Sequence, residues 1–256
     1  MHVKSPISLT VVLTFYNEEN HIRACIENAR LLTDSIILID TESTDSSADI
    51  ARDMGYEVIS CPYQKFVEPT RNFAIFHVKT EWFFIIDADE RFSPELMKEI
   101  AETLPTTEKT HFKITKKNLF AGKWWLRHGG WKSDSAIRCI KTSAFRNWPA
   151  EIHSTPEVEG EGGHFQALLD HHIHPTLEHM VDKTILYEDM ESNLLLEAKK
   201  PVSVPLFFRK FFGELYRRLI KHSGYLDGIP GVIESVYQAY SKTVTYLYLY
   251  EKSSRI

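Results

Sequence analysis

The chain has 256 residues, of which 43% are hydrophobic and 25% are charged, a balance typical of folded globular proteins and not of disordered ones. Its formal net charge of −5 gives no global reason to expect a nucleic acid partner, although a local basic cluster can lie within a mildly acidic average. No apolar run reaches the roughly 18 to 20 residues that span a bilayer, so any membrane contact is expected to be peripheral.

The first hundred residues alternate strand-like and helix-like patterns, as expected for strands and helices around a mostly parallel sheet. The predicted strands cover residues 7–15, 35–40, 56–61 and 82–86, and the helices between them cover 20–32, 43–55 and 69–78. In the second helix, Ser43, Thr44 or Asp45 is the expected cap. The fourth strand, WFFII, has no polar face and is therefore expected in the middle of a sheet covered on both sides. Ser93 is predicted to cap the next helix, with Pro94 at its first position.

From about Thr110 the pattern changes to short strand-like segments, HFKIT and SAIRCIK, separated by a loop rich in aromatic residues and glycine. A run of histidines around HHIHP precedes further helical sequence. The last fifty residues begin with a basic and aromatic segment, 205–222. They end in a helix that places apolar residues on one face, namely Ile233, Tyr237, Tyr240, Val244 and Leu247. We expect one catalytic domain over 1–200 and a C-terminal helical extension over 201–256.

Carboxylates follow the ends of three predicted strands. Asp40 ends the second strand and Asp87 follows the fourth, while Glu18 and Glu19 lie just beyond the first. Because ligands of open α/β sheets bind at the carboxyl ends of the strands, these side chains are expected to gather at one ligand-binding rim. Two unit charges about 4 Å apart repel by roughly 4 kcal/mol at an effective dielectric constant near 20. Such a cluster needs a bound cation, a proton or a functional reason to persist, and Mg²⁺ or Mn²⁺ is the natural partner of carboxylate oxygens. Solvated acidic side chains at a strand end are the simpler alternative.

Four segments in this order, VVLTFYNEE, IILIDTESTDSS, PTRNFAI and FFIIDADE, resemble glycosyltransferase family 2, whose members are inverting nucleotide-sugar enzymes of the GT-A fold. The resemblance covers about residues 7–100, and the later segments EIHS and HHIHP are similar to those of lipopolysaccharide-core glucosyltransferases. It implies an α/β fold of the GT-A type, with a Rossmann-like sheet flanked by helices. It also implies that residues 7–105 bind the nucleotide sugar and that residues 106–200 form the acceptor half.

The resemblance assigns donor-binding roles to six side chains, of which Asp87 is described with the metal site below. Thr14, Tyr16 and Glu18, at and after the end of the first strand, would line the nucleotide base and ribose. Asp40 would accept a hydrogen bond from the base imide, and Arg71 would pair with the diphosphate through its forked guanidinium. If the family resemblance is set aside, the sequence around Arg71 favours an arginine on the surface of a helix. A UDP-sugar is the first expectation for the donor.

The resemblance also assigns a site for Mn²⁺ or Mg²⁺ to the segment DADE. Asp89 would bind the metal, and Asp87 would face the ribose or the water shell of the metal. One histidine of HHIHP, with His174 the first choice, would complete the metal shell or touch the diphosphate. The metal would act as a Lewis acid that stabilises the leaving nucleoside diphosphate. A structural zinc site is not favoured, because no cysteine or carboxylate stands at a recognised zinc interval from these histidines.

An inverting transfer needs a carboxylate on the acceptor side to take the proton of the attacking hydroxyl. The related enzymes tend to carry a His-Glu pair after the second β region, whereas this chain has His153 followed by Ser154. Glu151 and Asp134 are the local candidates, in that order, and Glu157 follows both. In a strand, Glu151 and His153 would point to the same face.

Two other functions stay open on the sequence alone. A catalytically silent scaffold that binds nucleotide sugar or glycan is compatible with the missing His-Glu pair. A sugar nucleotidyltransferase would also use an α/β nucleotide domain and a metal. Such enzymes usually open with a Gly-rich, basic loop after the first strand, where this chain has YNEEN instead.

The leading expectation is a metal-dependent inverting hexosyltransferase that moves a sugar onto a glycan or glycolipid hydroxyl. The acceptor would belong to bacterial cell-surface polysaccharide or lipopolysaccharide assembly and would be reached from the cytoplasm, on the inner face of the plasma membrane. Segment 205–222 either lies on an anionic membrane through its basic and apolar sides or packs on the core. No recognition motif supports a nucleic acid partner.

Overall fold

The computed structural model describes residues 7–64, 67–132, 134–151, 154–173 and 176–254. Within these ranges the strands are β1 (Leu9–Phe15), β2 (Ile36–Asp40), β3 (Val58–Ser60), β4 (Trp82–Ile86), β5 (Glu90–Phe92), β6 (His111–Phe120), β7 (Trp124–Trp125), β8 (Ser135–Lys141), β9 (Phe145–Asn147), β10 (Glu157–Val158), β11 (Gly162–His164) and β12 (Leu169–His171). The α-helices are α1 (Ile22–Ala29), α2 (Ser47–Asp53), α3 (Glu68–Phe76), α4 (Pro94–Thr103), α5 (Leu177–Glu197), α6 (Val204–Leu215) and α7 (Gly228–Ser253). Short 3-10 helices cover Thr142–Ala144 and Gly224–Asp227, and a π-helical turn covers Tyr216–Lys221.

The main sheet has the strand order β3-β2-β1-β4-β8-β6-β12-β5, with β7 and β11 also paired to β6. The first four strands are parallel, as the alternation of strands and helices predicted. Beyond them, β8 and β6 pair antiparallel, so the sheet is mixed where the sequence pattern changes. The strand β4 lies between β1 and β8 with all five residues buried, which confirms its predicted central place.

Alternate residues of β1 and β4 pack into two different hydrophobic clusters, one on each side of the parallel strands. One cluster joins Leu13 and Phe84 to buried residues of α1, α2 and α4. The other joins Val12 and Phe83 to buried residues of α3 and to Trp148. Because both faces of these strands are covered, their carboxyl ends are held rigidly at one edge.

The helix starts follow local capping chemistry. Ser93 accepts a hydrogen bond from the Leu96 amide at 3.2 Å and Pro94 opens α4, as predicted. At α2 the flanking residue Ser46 makes no side-chain cap. Asp45, one of the predicted caps, accepts from the amide of Ser47, the first residue of α2, at 2.9 Å and so satisfies one free amide of the helix start.

Two compact units can be distinguished. The first contains the described residues of Met1–Lys116 and Ser135–His171, and the second contains those of Lys117–Asp134 and His172–Ile256. In the second unit α7 packs against both α5 and α6, and Thr184 on α5 hydrogen-bonds to the Tyr237 hydroxyl on α7 at 2.6 Å. The second unit thus holds α5 together with the two helices that follow it, because α7 contacts both α5 and α6. Among the described helices, none is long and apolar enough to cross a membrane.

The helix α7 turns much of its apolar face outward. Ile233, Tyr240 and Leu247 are each about half exposed, whereas Ser235 and Thr245 are buried. The buried Ser241 and Thr245 donate hydrogen bonds to the Glu188 carboxylate on α5. Tyr237 and Val244, the other two residues of the predicted apolar face, are half-buried, so only part of that face is exposed.

Candidate active site

The carboxyl ends of β1, β2 and β4 lie side by side. In the parallel registers Phe15 pairs with Asp40, and Leu13 pairs with Ile86. Asp87 therefore continues β4 at the level of Thr14. The strand β1 lies between Asp87 and Asp40, which ends β2. The half-buried Thr14 and the buried Asp40 are thus brought to the same rim, as predicted.

The loops after β1 and β2 are tied together by Asn17. Its amide donates to the Ser43 hydroxyl at 3.0 Å, and its side-chain oxygen accepts from the Thr44 amide at 2.8 Å and the Asp45 amide at 3.3 Å. Asn17 has φ of 53°, a left-handed conformation that asparagine adopts more readily than most residues. The half-buried Glu18 is fixed by its own amide, which donates to the Ser47 hydroxyl at 2.7 Å.

Aromatic rings lie beside Asp40 on these loops. Tyr16 and Tyr63 are both partly exposed, and their ring centroids are 4.6 Å apart in a tilted arrangement. The Tyr63 amide donates to the Glu42 carboxylate at 3.2 Å, and the Asp40 carboxylate accepts from the Ser43 amide at 3.0 Å. The rim therefore offers an aromatic surface next to a fixed carboxylate acceptor.

Asp87 and Glu90 are surrounded by cationic side chains. Arg138 donates to Asp87 at 2.7 Å and to Glu90 at 3.1 Å, and the Lys116 ammonium lies 2.7 Å from Glu90 and 4.0 Å from Asp87. A third cation, Arg71, lies 4.0 Å from the other oxygen of Asp87. Glu90 is fully buried and also accepts from the Asp87 amide at 2.9 Å, so it fixes both the backbone of Asp87 and its partners.

The charges of this group determine its protonation. Burial raises the pKa of Asp87, but the positive charges of Arg138, Lys116 and Arg71 outweigh it, so the pKa lies well below its ordinary value. Burial lowers the pKa of Lys116, but Glu90 and Asp87 outweigh it and raise the pKa above its ordinary value. The repulsion expected between neighbouring carboxylates is therefore offset by cations of the chain itself, and Asp87 does not need a metal to remain ionised.

Arg71 is not the surface arginine that its helical context alone suggests. It is buried on α3, and its guanidinium carbon lies 4.2 Å from the centroid of the Trp148 ring. Its Nε atom is buried and has no hydrogen-bond partner among the described residues. Burial and the like charge of Arg138 lower the pKa of Arg71. A buried donor without an acceptor among the described residues needs an explanation, and a bound anionic ligand is one that fits a guanidinium.

Asp89 is placed beside a histidine of the HHIHP segment. Its Oδ2 atom lies 3.6 Å from Nε2 of His171, which pairs with Glu90 across β12 and β5. Both side chains are largely buried, and their oxygen and nitrogen donors suit a divalent cation of the Mn²⁺ type. In the described ranges no group of three or more such donors occurs, so a cation here would need further ligands from phosphate or water. His174, the histidine expected at this site, lies outside the described residues.

The candidates for the catalytic base lie in different parts of the structure. Glu151 is exposed in the first unit, where its carbonyl accepts from the Ser154 amide at 3.1 Å. Asp134 belongs to the second unit, and its carboxylate accepts from the Asn118 side chain at 3.2 Å. Glu157 is an exposed residue of β10. The choice of Glu151 stays a prediction, and His153, its expected neighbour, lies outside the described residues.

Four further side chains complete the rim and were not among the predicted site residues, namely Lys116, Arg138, Trp148 and His171. Arg138 carried a usable signal, because a single charge inside the apolar strand SAIRCIK has to be paired when the strand is buried. His171 belongs to the noted histidine run, but its place depends on the pairing of β12 with β5. Nothing in the sequence near Lys116 or Trp148 distinguishes them from surface and core residues.

A family model described as "Glycosyl transferase family 2" matches residues 10–159. An uncharacterized glycosyltransferase from Rickettsia typhi is 25% identical over 249 residues, which cover 88% of this chain and 81% of that protein. A lipopolysaccharide core biosynthesis glycosyltransferase from Rhizobium meliloti is 24% identical over 264 residues, covering 97% of this chain and 93% of that protein. A mannosyltransferase structure from Pyrobaculum calidifontis, in complex with GDP-Man and Mn²⁺, matches 94% of this chain and 77% of that chain with a TM-score of 0.52 at 12% identity.

Proposed function

The chain belongs to glycosyltransferase family 2, and we propose that it is a metal-dependent inverting enzyme that moves a sugar from a nucleoside diphosphate to a glycan or glycolipid hydroxyl. Its GT-A fold and its glycosyltransferase class are those expected from the sequence. The observation that carries the donor half of the proposal is the cationic group of Arg71, Lys116 and Arg138 around Asp87.

The cationic group suits a diphosphate. The buried Nε donor of Arg71 needs an acceptor, and phosphate oxygens match the forked geometry of a guanidinium. The ring of Trp148 keeps the guanidinium plane in one orientation before the ligand arrives. Negative charge grows on the leaving nucleoside diphosphate during transfer, and fixed cations in a site shielded from water stabilise that charge most effectively.

Asp89 and His171 would hold the divalent cation. When bound, Mn²⁺ or Mg²⁺ supplies Lewis acid stabilisation of the leaving diphosphate. The mannosyltransferase of the same fold was solved with Mn²⁺, which makes Mn²⁺ the first ion to test. Asp89 is the metal ligand proposed from the sequence. His171 is proposed as a second ligand because its Nε2 atom lies 3.6 Å from Oδ2 of Asp89.

The rim of β1 and β2 would bind the nucleoside. Tyr16 provides a ring for the base to lie against, with Thr14 and Glu18 near the ribose, and Asp40 accepts from the base imide. A carboxylate acceptor at Asp40 is compatible with the imide of uracil, and family precedent makes a UDP-sugar the first donor to test. The amides and hydroxyls after β2 keep this rim in shape without the ligand.

Glu151 would take the proton of the acceptor hydroxyl as that oxygen attacks the anomeric carbon, with Asp134 as the alternative base. The acceptor proposed is a glycan or glycolipid of bacterial cell-surface polysaccharide or lipopolysaccharide assembly. Support for this class comes from the Rhizobium meliloti relative, whose name places it in lipopolysaccharide core biosynthesis. The reaction would take place on the cytoplasmic side of the membrane.

The test is a thermal-shift panel of nucleoside diphosphates with and without Mn²⁺, followed by donor hydrolysis with sugars of the selected nucleotide. We expect UDP to raise the unfolding temperature selectively and Mn²⁺ to increase that shift, because a ligand that binds only the folded state stabilises it by mass action. A flat response to every nucleotide would overturn the proposal. Selective binding without turnover of any donor would instead identify a silent nucleotide-sugar scaffold.

A further inference from the structure

The helix α6 and the π-helical turn after it carry a continuous row of exposed apolar side chains. The row consists of Val204, Phe208, Phe212, Tyr216 and Ile220, spaced four residues apart, and its members are between 51% and 71% exposed. We call this row the α6 stripe. No residue of α6 is buried, and although the helix packs against α7 this contact leaves the α6 stripe exposed.

A basic row runs directly beside the α6 stripe. Arg209, Arg217 and Lys221 are exposed and each follows a stripe residue by one position. Glu214 is the one acidic residue between 204 and 221, and it pairs with Arg217 and Arg218. Among the described residues, Arg209 and Lys221 have no acidic partner within 4 Å.

The combination of the two rows selects the partner. Contiguous apolar surface of this kind on a folded protein marks a site for a membrane or another protein. A second copy of the chain, packed stripe to stripe with the two helices antiparallel about a two-fold axis, would bring two basic rows together and create like-charge repulsion. An anionic bilayer instead accepts the aromatic side chains between its headgroups and attracts the cations beside them.

We propose that the α6 stripe and its basic row bind the surface of a membrane that contains anionic phospholipid. The helix lies along the surface, with the Phe208 and Phe212 rings at the depth of the headgroup boundary and the Arg209 and Lys221 charges among lipid phosphates. The purpose of this binding rests on the proposed function, because it would bring the candidate active site to an acceptor held in the membrane.

Gly213 allows this proposal to be tested by adding a charge. It lies in the basic row, four residues from Arg209 and from Arg217, and a side chain added there meets open space. Gly213→Lys adds a cation, Gly213→Ala improves the helix without charge, and Gly213→Glu adds an anion at the same position. Each cation close to an anionic surface strengthens binding by about fivefold. The lysine variant is therefore expected to bind anionic vesicles about fivefold more tightly than the alanine variant, and the glutamate variant more weakly.

The measurement is co-sedimentation with vesicles of phosphatidylcholine alone and of phosphatidylcholine mixed with phosphatidylglycerol, at low and high salt. We expect binding only to the mixed vesicles, weakened by salt, and lost by at least tenfold in Phe208→Ser/Phe212→Ser. Phe76→Ser is the matched control, because Phe76 is an 87% exposed aromatic residue on α3 and should not affect binding.

Three results would overturn the inference: equal binding to both vesicle types, an unchanged affinity in the double serine variant, or a dimer in solution that the double serine variant abolishes. The nucleotide-dependent thermal shift is recorded on the same variants. Loss of vesicle binding with the UDP and Mn²⁺ response intact isolates the membrane surface from the site. Vesicle binding without any nucleotide response would leave this inference standing while the proposed function fails.

Discussion

Arg71 contacts an aromatic ring on one side and a carboxylate on the other, and both contacts depend on the shape of its guanidinium. Lysine keeps the charge but loses the planar fork and the stacking on Trp148. Arg71→Lys is therefore expected to lower kcat/KM for the donor by about 100-fold or more, the size of effect seen when one stabilising donor is removed. Steady-state donor hydrolysis measures it. The exposed Arg52→Lys on α2 is the control, and near-normal activity of Arg71→Lys would exclude Arg71 from diphosphate binding.

Glu90 connects the buried charges beneath the rim. It accepts from the Asp87 amide and pairs with Lys116 and Arg138, so its removal leaves buried cations with one carboxylate fewer. Breaking a buried pair from one side costs about 3–5 kcal/mol. We expect Glu90→Ala to lower the free energy of unfolding in urea by that amount, whereas Glu95→Ala, on the exposed side of α4, stays within about 0.5 kcal/mol of the parent. Equal stability of the two variants would show that Glu90 is not needed to hold the group.

Asp89 and His171 provide a test of the metal. In Asp89→Ala the increase that Mn²⁺ adds to the UDP thermal shift should disappear, while the shift produced by UDP alone should remain. His171→Ala should weaken the same increase, because it removes the nitrogen donor 3.6 Å from Asp89. Chelation by EDTA should reduce the parent to the response of Asp89→Ala. An unchanged Mn²⁺ effect in Asp89→Ala, with Asp53→Ala on the surface of α2 as the control, would place the metal elsewhere.

The residues of the site differ in how far a sequence can identify them. Asp40 ends β2, and Asp87 and Asp89 lie within three residues of the end of β4, so their positions in the sequence bring them to the rim. Lys116 and Arg138 lie on strands that pair antiparallel with the rest of the sheet, and only the register between distant strands brings their charges to Asp87. Coulombic pairing in a protein interior depends on distances of a few ångströms. Those distances cannot be predicted from the order of residues when the antiparallel strands are far apart in the sequence.

At the scale of elements, the loop after β1 depends on one residue for its shape. Asn17 supplies both a left-handed backbone and a side chain that accepts from two amides of the loop after β2. Asn17→Gly keeps the backbone conformation and loses the hydrogen bonds, at a cost of about 1 kcal/mol. Asn17→Ala also strains the backbone, for about 1–2 kcal/mol more. Urea unfolding of the pair separates the two effects, and KM for the donor should rise in both; equal stability of the glycine and alanine variants would contradict the strain.

Elements with strong local signals were predicted closely. The bounds of β4 and β8 are those of the apolar runs, and the start of α4 follows from its serine and proline. The helix α7 shows the limit of periodicity, because Ile233, Tyr240 and Leu247 of its predicted apolar face are exposed while Ser241 and Thr245 are buried. A hydrophobic stripe identifies a helix and its sides, but the neighbours that fit closely against a side decide which one is buried.

At the scale of the whole molecule, neither the local distribution of charge nor the division into units can be deduced from the average composition of the sequence. The net charge of −5 conceals the segment 204–221, where five basic residues stand against one acidic residue. The second unit combines residues 117–134 with the C-terminal helices, so it is discontinuous in the chain. No composition shift marks such a unit, because the contacts that define it join segments separated by dozens of residues.

The three cysteines of the first unit report on its unfolding as a whole. Cys25, Cys61 and Cys139 are all buried and unbonded, and burial raises the pKa of Cys25 to about 12. Neither access nor ionisation favours reaction in the folded state, so we expect a thiol reagent at mildly alkaline pH to label the native protein only as fast as the unit opens. UDP and Mn²⁺ at about 100 times the dissociation constant should then slow labelling about 100-fold, since the ligand reduces the open fraction by that factor. Ser254→Cys adds an exposed thiol that must react at once in every sample. Rapid labelling of the native cysteines, or a rate that nucleotide does not change, would show that the donor rim and the buried core do not unfold together.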